Sequence, residues 1–141
     1  MNKEEIEAFK NELKNLWFYH KKINECHSKL ELLEYDMENV KGVDYTKQHG
    51  TYNEHRAELK KLAMIEEKGK IEDEMLGWQI KEAYLAKVLK QMSEDERELV
   101  IEVIADGRKY RDVCEERNIN NTSSLFLLIN QIIDSAIKKA G

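Results

Sequence analysis

The sequence predicts an all-α protein in which a long antiparallel helical hairpin is followed by a C-terminal helix-turn-helix unit of three helices. Three observations favour this class. The 141 residues include no proline, and apolar residues recur at three- and four-residue spacing rather than in the alternation of strands. Charged residues make up 36% of the chain, which favours long, thin helices over a thick globular core. Helix start and stop signals divide the last third into short segments.

The first predicted helix extends from Lys3 to about Val40, because apolar residues keep a three-four spacing over about five heptads. The apolar positions are Ile6, Phe9, Leu13, Leu16, Ile23, Leu30 and Met37. Three polar residues fill the remaining seam positions and three apolar ones widen the stripe, namely His20, His27 and Glu34, and Trp17, Cys26 and Leu33. A stripe this wide predicts packing against more than one helix.

An irregular segment from Gly42 to Gly50 is expected to separate this helix from a second one that ends near Gln91. Thr51 with Glu54 forms a candidate capping box at its start, and Asn53 is an equally good N-cap. The inner side of this helix is predicted to carry Leu59, Leu62, Ile65, Leu76, Ile80, Tyr84 and Val88.

Two glycines, Gly69 and Gly77, interrupt the second helix. Each costs about 0.5 to 1 kcal/mol relative to alanine, so the helix either bends there or is closely approached by another helix. The two long segments are similar in length, which predicts an antiparallel hairpin over residues 1–92. Two such helices bury little apolar surface, so the hairpin is expected to pair with a second copy as a homodimer or higher homo-oligomer.

Residues 93–141 are predicted to form the helix-turn-helix domain. Ser93 with Glu96 makes a capping box, and Asp106-Gly107 ends the helix that begins there. A second helix is expected from Tyr110 to Arg117, followed by the polar turn 118–121. A third helix should run from about Thr122 to Lys139. Three short helices with a tight turn before the last are typical of a helix-turn-helix.

The charge distribution within this domain is uneven. The whole chain has a net charge of -5, which argues against generic polyanion binding. Residues 93–106 contain six acidic residues and one basic residue, whereas residues 107–141 contain four acidic and six basic residues. The sequence therefore predicts an acidic back and a mildly basic front.

The sequence offers no convincing catalytic or metal-binding constellation. His20 and His27 are two turns apart, about 10 Å along a helix, too far to share a metal ion. Acidic runs such as 72–74 have the composition of solvated helix faces, and nothing in the sequence indicates burial that would raise their pKa. We therefore expect no enzymatic activity, no metal site and no cofactor. Cys26 and Cys114 should be buried or half-buried thiols, and the absence of a long apolar run predicts a cytoplasmic protein without a membrane anchor.

The residues from Leu89 to Ala136 carry a resemblance to a known family. The matching positions are Leu89, Met92, Glu96, Arg97, Val100, Ile101, Gly107, Tyr110, Val113, Cys114, Ile119 and Leu125. This run resembles the sigma-factor region-four type of helix-turn-helix found in phage late-operon transcriptional regulators of the ArpU and RinA kind in Gram-positive bacteria. Upstream, residues 40–47 are similar to a segment that small phage proteins of this type carry between two helical arms.

The resemblance implies a module that binds double-stranded DNA, with its last helix in the major groove. A helical wheel places Leu125, Ile129, Ile132 and Ala136 toward the core. The outward, base-facing residues are then Ser123, Ser124, Leu127, Asn130 and Gln131. Asn and Gln can pair with adenine and Leu can contact a thymine methyl group, so a site rich in A and T is chemically reasonable. The expected phosphate contacts are Arg108, Lys109, Arg111, Lys138 and Lys139.

Three functional hypotheses follow. The first is a phage or prophage transcriptional regulator that acts as an oligomer on DNA in the cytoplasm of its bacterial host. The second is a small DNA-packaging subunit of the terminase type, which would assemble as a large ring. The third is a protein-interaction module that uses the apolar run Phe126 to Leu128 to bind RNA polymerase or another regulator.

Overall fold

The computed structural model describes residues 2–41 and 50–141, and side chains from 2 to 39 and from 55 to 141. Within these ranges the chain is all-α, as predicted, and contains no strand. The elements are α1 (Lys3–Leu13), α2 (Leu16–Lys41), α3 (Gly50–Leu89), α4 (Glu94–Val100) with its π-helical continuation Ile101–Ala105, α5 (Tyr110–Arg117) and α6 (Thr122–Ala140). None of the helices described is both long and apolar enough to cross a membrane. Residues 42–49 of the predicted irregular segment Gly42 to Gly50 lie outside the described residues, whereas Gly50 is already the first residue of α3. The side chains of the candidate caps Thr51, Asn53 and Glu54 also lie outside the described part.

The prediction of one continuous helix from Lys3 to Val40 is wrong, because a turn at Lys14 and Asn15 separates α1 from α2. The Asn15 backbone N–H donates to the Glu12 carbonyl at 3.0 Å, and its side-chain amide donates to the Asn11 carbonyl at 3.2 Å. Asparagine side chains that bond to nearby backbone compete with regular helix. The buried Tyr19 hydroxyl of α2 donates to Glu12 at 2.5 Å, and burial together with this bond raises the pKa of Tyr19 to about 12.

The chain divides into two compact units. The terminal unit combines the residues up to His20 with Ile80–Gly141, and the central unit is Lys21–Gln79. The predicted domain boundary lies between residues 92 and 93. The compact units instead divide the chain after His20 and after Gln79. The physical reason is that α1 packs against α6 and against the π-helical segment, so residues from both ends of the sequence share one core.

The core of the terminal unit is formed by residues from every helix that enters it. Phe9 of α1 is completely buried and meets Tyr84 of α3 edge to face, with 6.2 Å between ring centroids. The other most deeply buried side chains are Leu13, Leu85, Val88, Val100, Val113, Leu125, Ile129 and Ile133. Helix α1 is therefore part of this core rather than an arm that extends from it.

Polar contacts join the first turn of α2 to other parts of the terminal unit. The Trp17 indole Nε1 donates to Asp106 at 2.6 Å, and His20 Nδ1 lies 3.0 Å from a Glu82 carboxylate oxygen of α3. These contacts attach α2 both to α3 and to the residue at which the π-helical segment ends.

The central unit has a small core in which α2 and α3 run antiparallel. Cys26, Leu33 and Ile71 are buried there, and the partly buried residues around them are Leu30, Met37, Met64, Met75 and Trp78. Glu34 of α2 lies 3.8 Å from Lys68 of α3. Burial is the main cause of the raised pKa of the Cys26 thiol. Cys26, which precedes Glu34 in α2, is also close enough to Glu74, which follows Lys68 in α3, for the Glu74 charge to raise its pKa. Cys26 and Cys114 are both buried free thiols, in agreement with the sequence.

The predicted inner side of α3 is wrong, because only one of its seven residues, Val88, is buried. The exposed residues are Leu59, Leu62, Ile65, Leu76, Ile80 and Tyr84. Ile71, which is buried, follows Leu62 by nine residues, so the two residues lie on opposite sides of the helix. The helix therefore has two apolar faces, and α2 packs against the one that the sequence analysis did not select.

The helix α3 continues through both of its interior glycines. A Cβ atom built at Gly69 or Gly77 would meet no atom within 4 Å. Close approach by another helix of the same chain, one of the two expected explanations, is therefore not found at either position among the described residues.

We predict that Leu13→Ala lowers the free energy of unfolding by about 3 kcal/mol, since it leaves a cavity in the core of the terminal unit. Leu32→Ala is the matched control, because Leu32 is 67% exposed and its truncation should change stability by less than about 0.5 kcal/mol. Urea denaturation followed by circular dichroism measures both. Equal effects of the two substitutions would show that α1 does not belong to the core.

Candidate nucleic-acid interface

The first helix of the candidate interface is fixed at its start by the predicted capping box. The Ser93 backbone N–H donates to the Glu96 carboxylate at 2.9 Å, and the Glu96 N–H donates to the Ser93 hydroxyl at 3.2 Å. The half-buried Arg97 guanidinium donates to the carbonyls of Leu89 and Met92 at 3.1 and 3.3 Å. These bonds satisfy carbonyl groups at the end of α3 and thereby set the position at which α4 leaves it.

The break predicted at Asp106-Gly107 is confirmed, but the helix widens before it ends. The Asp106 N–H donates to the Ile101 carbonyl at 2.9 Å, a five-residue π-type bond. Gly107 then adopts a positive φ of 68°, a conformation that other residues rarely adopt. The sequence analysis did not predict the π-helical segment.

The turn between α5 and α6 is also where the sequence placed it. Asn118 ends α5 in the left-handed conformation with a φ of 56°, which asparagine tolerates better than most residues. The Cys114 thiol donates to the Asn121 carbonyl at 3.5 Å, and the Asn121 side chain accepts from the Ser124 N–H at 2.7 Å. Asn121 is therefore the N-cap of α6 and satisfies one of the free N–H groups in the first turn of that helix.

The wheel drawn from the sequence describes α6 correctly at eight of nine positions. The four residues assigned to the core, Leu125, Ile129, Ile132 and Ala136, are buried. Four of the five assigned to the outside, Ser123, Ser124, Leu127 and Gln131, are exposed. The fifth, Asn130, is half-buried, and its Oδ1 is buried without a hydrogen-bond partner among the described residues.

The side of α6 that carries Phe126 is in contact with α1. The Lys10 ammonium lies 4.4 Å from the centroid of the Phe126 ring, a cation–π contact. Lys10 is itself buried, and desolvation lowers the pKa of its amine. Asn130 lies one turn beyond Phe126, on the same side of α6. All three residues of the apolar run are exposed, and Leu127 is exposed most, at 57%.

Of the five predicted phosphate contacts, Arg108 is the one engaged most fully by the protein itself. Its guanidinium forms two hydrogen bonds with Glu116 of α5, at 2.6 and 2.7 Å, and a further short bond with Glu102 of the π-helical segment. Arg117 also reaches Glu102, at 3.1 Å. Two arginines and two carboxylates thus form an ion-pair cluster that joins α5 to the π-helical segment.

The other four predicted phosphate contacts are exposed: Lys109, Arg111, Lys138 and Lys139. Arg111 lies 3.6 Å from Glu115, and Lys138 lies 3.1 Å from Asp134, each one helical turn away. Both members of the Arg111 pair are exposed, and pairs of that kind are weak, while Lys138 is itself 69% exposed although Asp134 is not. These four cations therefore keep most of their charge available to an external partner.

The sequence analysis missed the residues that hold the interface together. Glu102 and Glu116 were counted as charges but not as partners of the arginines, and Lys10 was not connected with α6. The only sequence signal for these ion pairs was the change from acidic to basic residues across Gly107. It indicated that opposite charges were present, but it did not indicate which residues would pair. These contacts join residues on different helices and depend on the tertiary fold. Spacing rules describe only neighbours within one helix.

The candidate interface presents both polar and apolar groups at its surface. Its outward α6 residues carry hydroxyl, amide and apolar groups, and no group of three or more His, Cys, Asp or Glu residues able to hold a metal ion occurs in the described part of the chain. Comparison of the chain with protein-family models, with curated proteins and with solved structures gave no match.

We predict that the Glu116 carboxyl titrates below its ordinary pKa, chiefly because it accepts hydrogen bonds from Arg108. A lowered folded-state pKa means that the pair contributes stability above the pKa of the unfolded carboxyl, and that this contribution is lost as the pH falls through the folded value. Arg108→Gln should return the pKa toward the ordinary value, whereas Arg111→Gln should not. Carbon NMR of the glutamate carboxyls measures the titration, and an unchanged Glu116 midpoint in Arg108→Gln would contradict the pairing.

Proposed function

We propose that this chain is a DNA-binding transcriptional regulator of a phage or prophage, acting as an oligomer in the cytoplasm of a bacterial host and without enzymatic activity. The observation that carries the proposal is the division of α6 into two faces. Leu125 and Ile129 are buried, while Ser124, Leu127 and Gln131 are exposed along the opposite side. A helix supported in this way from behind has the form of a recognition helix that enters the major groove.

The chemistry of the outward face supports sequence reading. A glutamine such as Gln131 can bond to both N6 and N7 of adenine, and a leucine such as Leu127 can contact the thymine methyl group. Serine hydroxyls donate to or accept from several bases. The proposal therefore includes a preference for sites rich in A and T.

The phosphate contacts in the proposal are the exposed cations. Lys109 and Arg111 flank the start of α5, while Lys138 and Lys139 lie in the last turn of α6. Arg108 has a different role in this proposal, since its two carboxylate partners would have to be displaced before it met a phosphate. Few free cations imply a modest salt dependence and a larger share of affinity from base contacts.

We predict that DNA binding weakens as salt rises, and that Lys109→Gln lowers the slope of log affinity against log salt by about one. Lys60→Gln on α3, which removes an equally exposed charge elsewhere, should leave the slope unchanged. Fluorescence anisotropy with labelled DNA from upstream of the protein's own gene measures both variants. No binding at low salt, or equal slopes for both variants and the unmodified protein, would contradict the proposal.

A second candidate function rests on the exposed leucines. Leu127 is 57% exposed and Leu128 is 39% exposed, side by side on the outward face of α6. Adjacent exposed leucines are typical of protein-binding surfaces. RNA polymerase or another regulator would be the partner in that case, and α6 would bind protein instead of DNA.

Leu127→Arg separates the two candidates. For a DNA-binding α6, the added guanidinium should preserve or strengthen DNA affinity, because it supplies a further donor to bases or phosphates. For a protein-binding α6, it should abolish retention of purified RNA polymerase on the immobilised protein, because it places a charge in an apolar contact. Ser135→Arg, also on an exposed position of α6, controls for the charge alone. We expect DNA affinity to be kept in both variants. Loss of polymerase retention in Leu127→Arg, with retention kept in Ser135→Arg, would favour the second candidate.

A further inference from the structure

The outward face of α3 in the central unit carries large apolar side chains that remain exposed. Leu59, Leu62, Ile65 and Leu76 each expose more than half of their surface. We call these four residues the outer stripe. They lie on the side of α3 opposite to Ile71, which is buried against α2. Among the described residues, the packing of the central unit therefore leaves the outer stripe exposed.

Gly69 lies in the middle of the outer stripe. Leu62 precedes it by seven residues and Leu76 follows it by seven residues. Seven residues are close to two helical turns, or about 10.5 Å, so these three positions form one nearly straight line along the helix surface. The spacing is symmetric about Gly69, because a leucine lies seven residues from it in both directions.

Nothing in the described chain requires a glycine at this position. A Cβ atom at Gly69 would meet no atom within 4 Å, and its backbone is that of an ordinary helix. A glycine inside a helix is less favourable than alanine, so the residue lowers the stability of α3 without improving the packing of the unit. A missing side chain at the centre of an apolar line does allow the backbone of another helix to approach closely.

We propose that a second copy of this chain docks on the outer stripe, with the two α3 helices crossing at Gly69. A two-fold interface brings the same surface of both subunits together, so the surface must match itself. The spacing meets this requirement, since Leu62 faces a leucine whether the helices are parallel or antiparallel. The glycines then face each other at the closest point of the crossing.

The area of the outer stripe suits a weak dimer. Four half-exposed side chains of this size present on the order of 300 Å² of apolar surface, comparable to the apolar patches that serve as binding sites. A specific interface buries about 800 Å² per subunit, of which about 60% is apolar. The outer stripe thus supplies more than half of the apolar part, and the flanking polar residues supply the rim. We expect a dissociation constant in the micromolar range.

This interface would provide the oligomer of the proposed function, but it forms without DNA and is tested without DNA. An apolar contact should not weaken as salt rises, whereas phosphate contacts should. Failure of one proposal is therefore distinguishable from failure of the other.

Sedimentation equilibrium of the full chain over a range of concentrations tests the docking surface. Leu62→Glu should raise the dimer dissociation constant at least tenfold, because each copy places a carboxylate in the apolar contact. Leu32→Glu is the matched control, since Leu32 is an exposed leucine of α2 outside the outer stripe, and it should leave the constant unchanged. Equal thermal melts of the two variants at low concentration would show that both monomers are folded.

The glycine is tested by a second pair of variants. Gly69→Ala and Gly77→Ala both replace an interior glycine of α3 at which a Cβ has open space, so both should raise the melting temperature of the dilute protein. Gly77 lies about 80° around the helix from Gly69, outside the line of closest approach. Gly69→Ala alone should therefore raise the dimer dissociation constant.

Three results would overturn the inference. The first is a monomer at every concentration, and the second is equal weakening by Leu62→Glu and Leu32→Glu. The third is a large ring whose assembly Leu62→Glu does not affect, which would favour the packaging hypothesis instead. Loss of DNA binding by a protein that still forms the dimer would contradict only the proposed function.

Discussion

The packing of α1 against the C-terminal helices is the contact on which the rest of the terminal unit depends. The helices α4 and α5 are short, and three helices of the combined size of α4, α5 and α6 bury too little apolar surface to be stable without further support. Phe9 and Leu13 supply that support, since both are completely buried. The same helix borders the candidate interface, because Lys10 contacts Phe126 at one edge of α6 while Leu127 and Gln131 remain exposed. One helix thus contributes both to the stability of the unit and to the edge of the candidate interface.

The ion-pair cluster adds orientation to this core. Single exposed ion pairs contribute little stability, but Arg108 and Arg117 converge on Glu102, whose side chain is only 19% exposed. Converging pairs fix the angle of α5 relative to the π-helical segment more firmly than one pair would. These ion pairs also neutralise part of the positive charge that was predicted for the basic front of this domain. The resulting surface has few free cations, so its ability to discriminate between partners depends on the polar and apolar groups of α6.

The local features of the fold were predictable, and the reason is that their causes are local. Ser93 and Asn121 cap helices, and Gly107 and Asn118 end them, through bonds and dihedral angles within a few residues. The break at Asn15 was missed because the apolar spacing continues across it. The packed face of α3 was assigned wrongly because that helix has two apolar faces, one with Leu62 and one with Ile71, and periodicity does not indicate which of them meets α2. The contact of Lys10 with Phe126 joins the two ends of the sequence and has no signature in either.

The composition of the terminal unit has a consequence for how the protein is made. Its core needs both Phe9 and Ile133, and Ile133 is synthesised long after Phe9. The central unit pairs α2 with the helix that follows it, so its contacts can form while the chain is still growing. Until the C-terminal helices emerge, the part of α1 that packs against α6 and the π-helical segment has no partner. Because these contacts join residues far apart in the sequence, we expect them to form later than the contacts of the central unit.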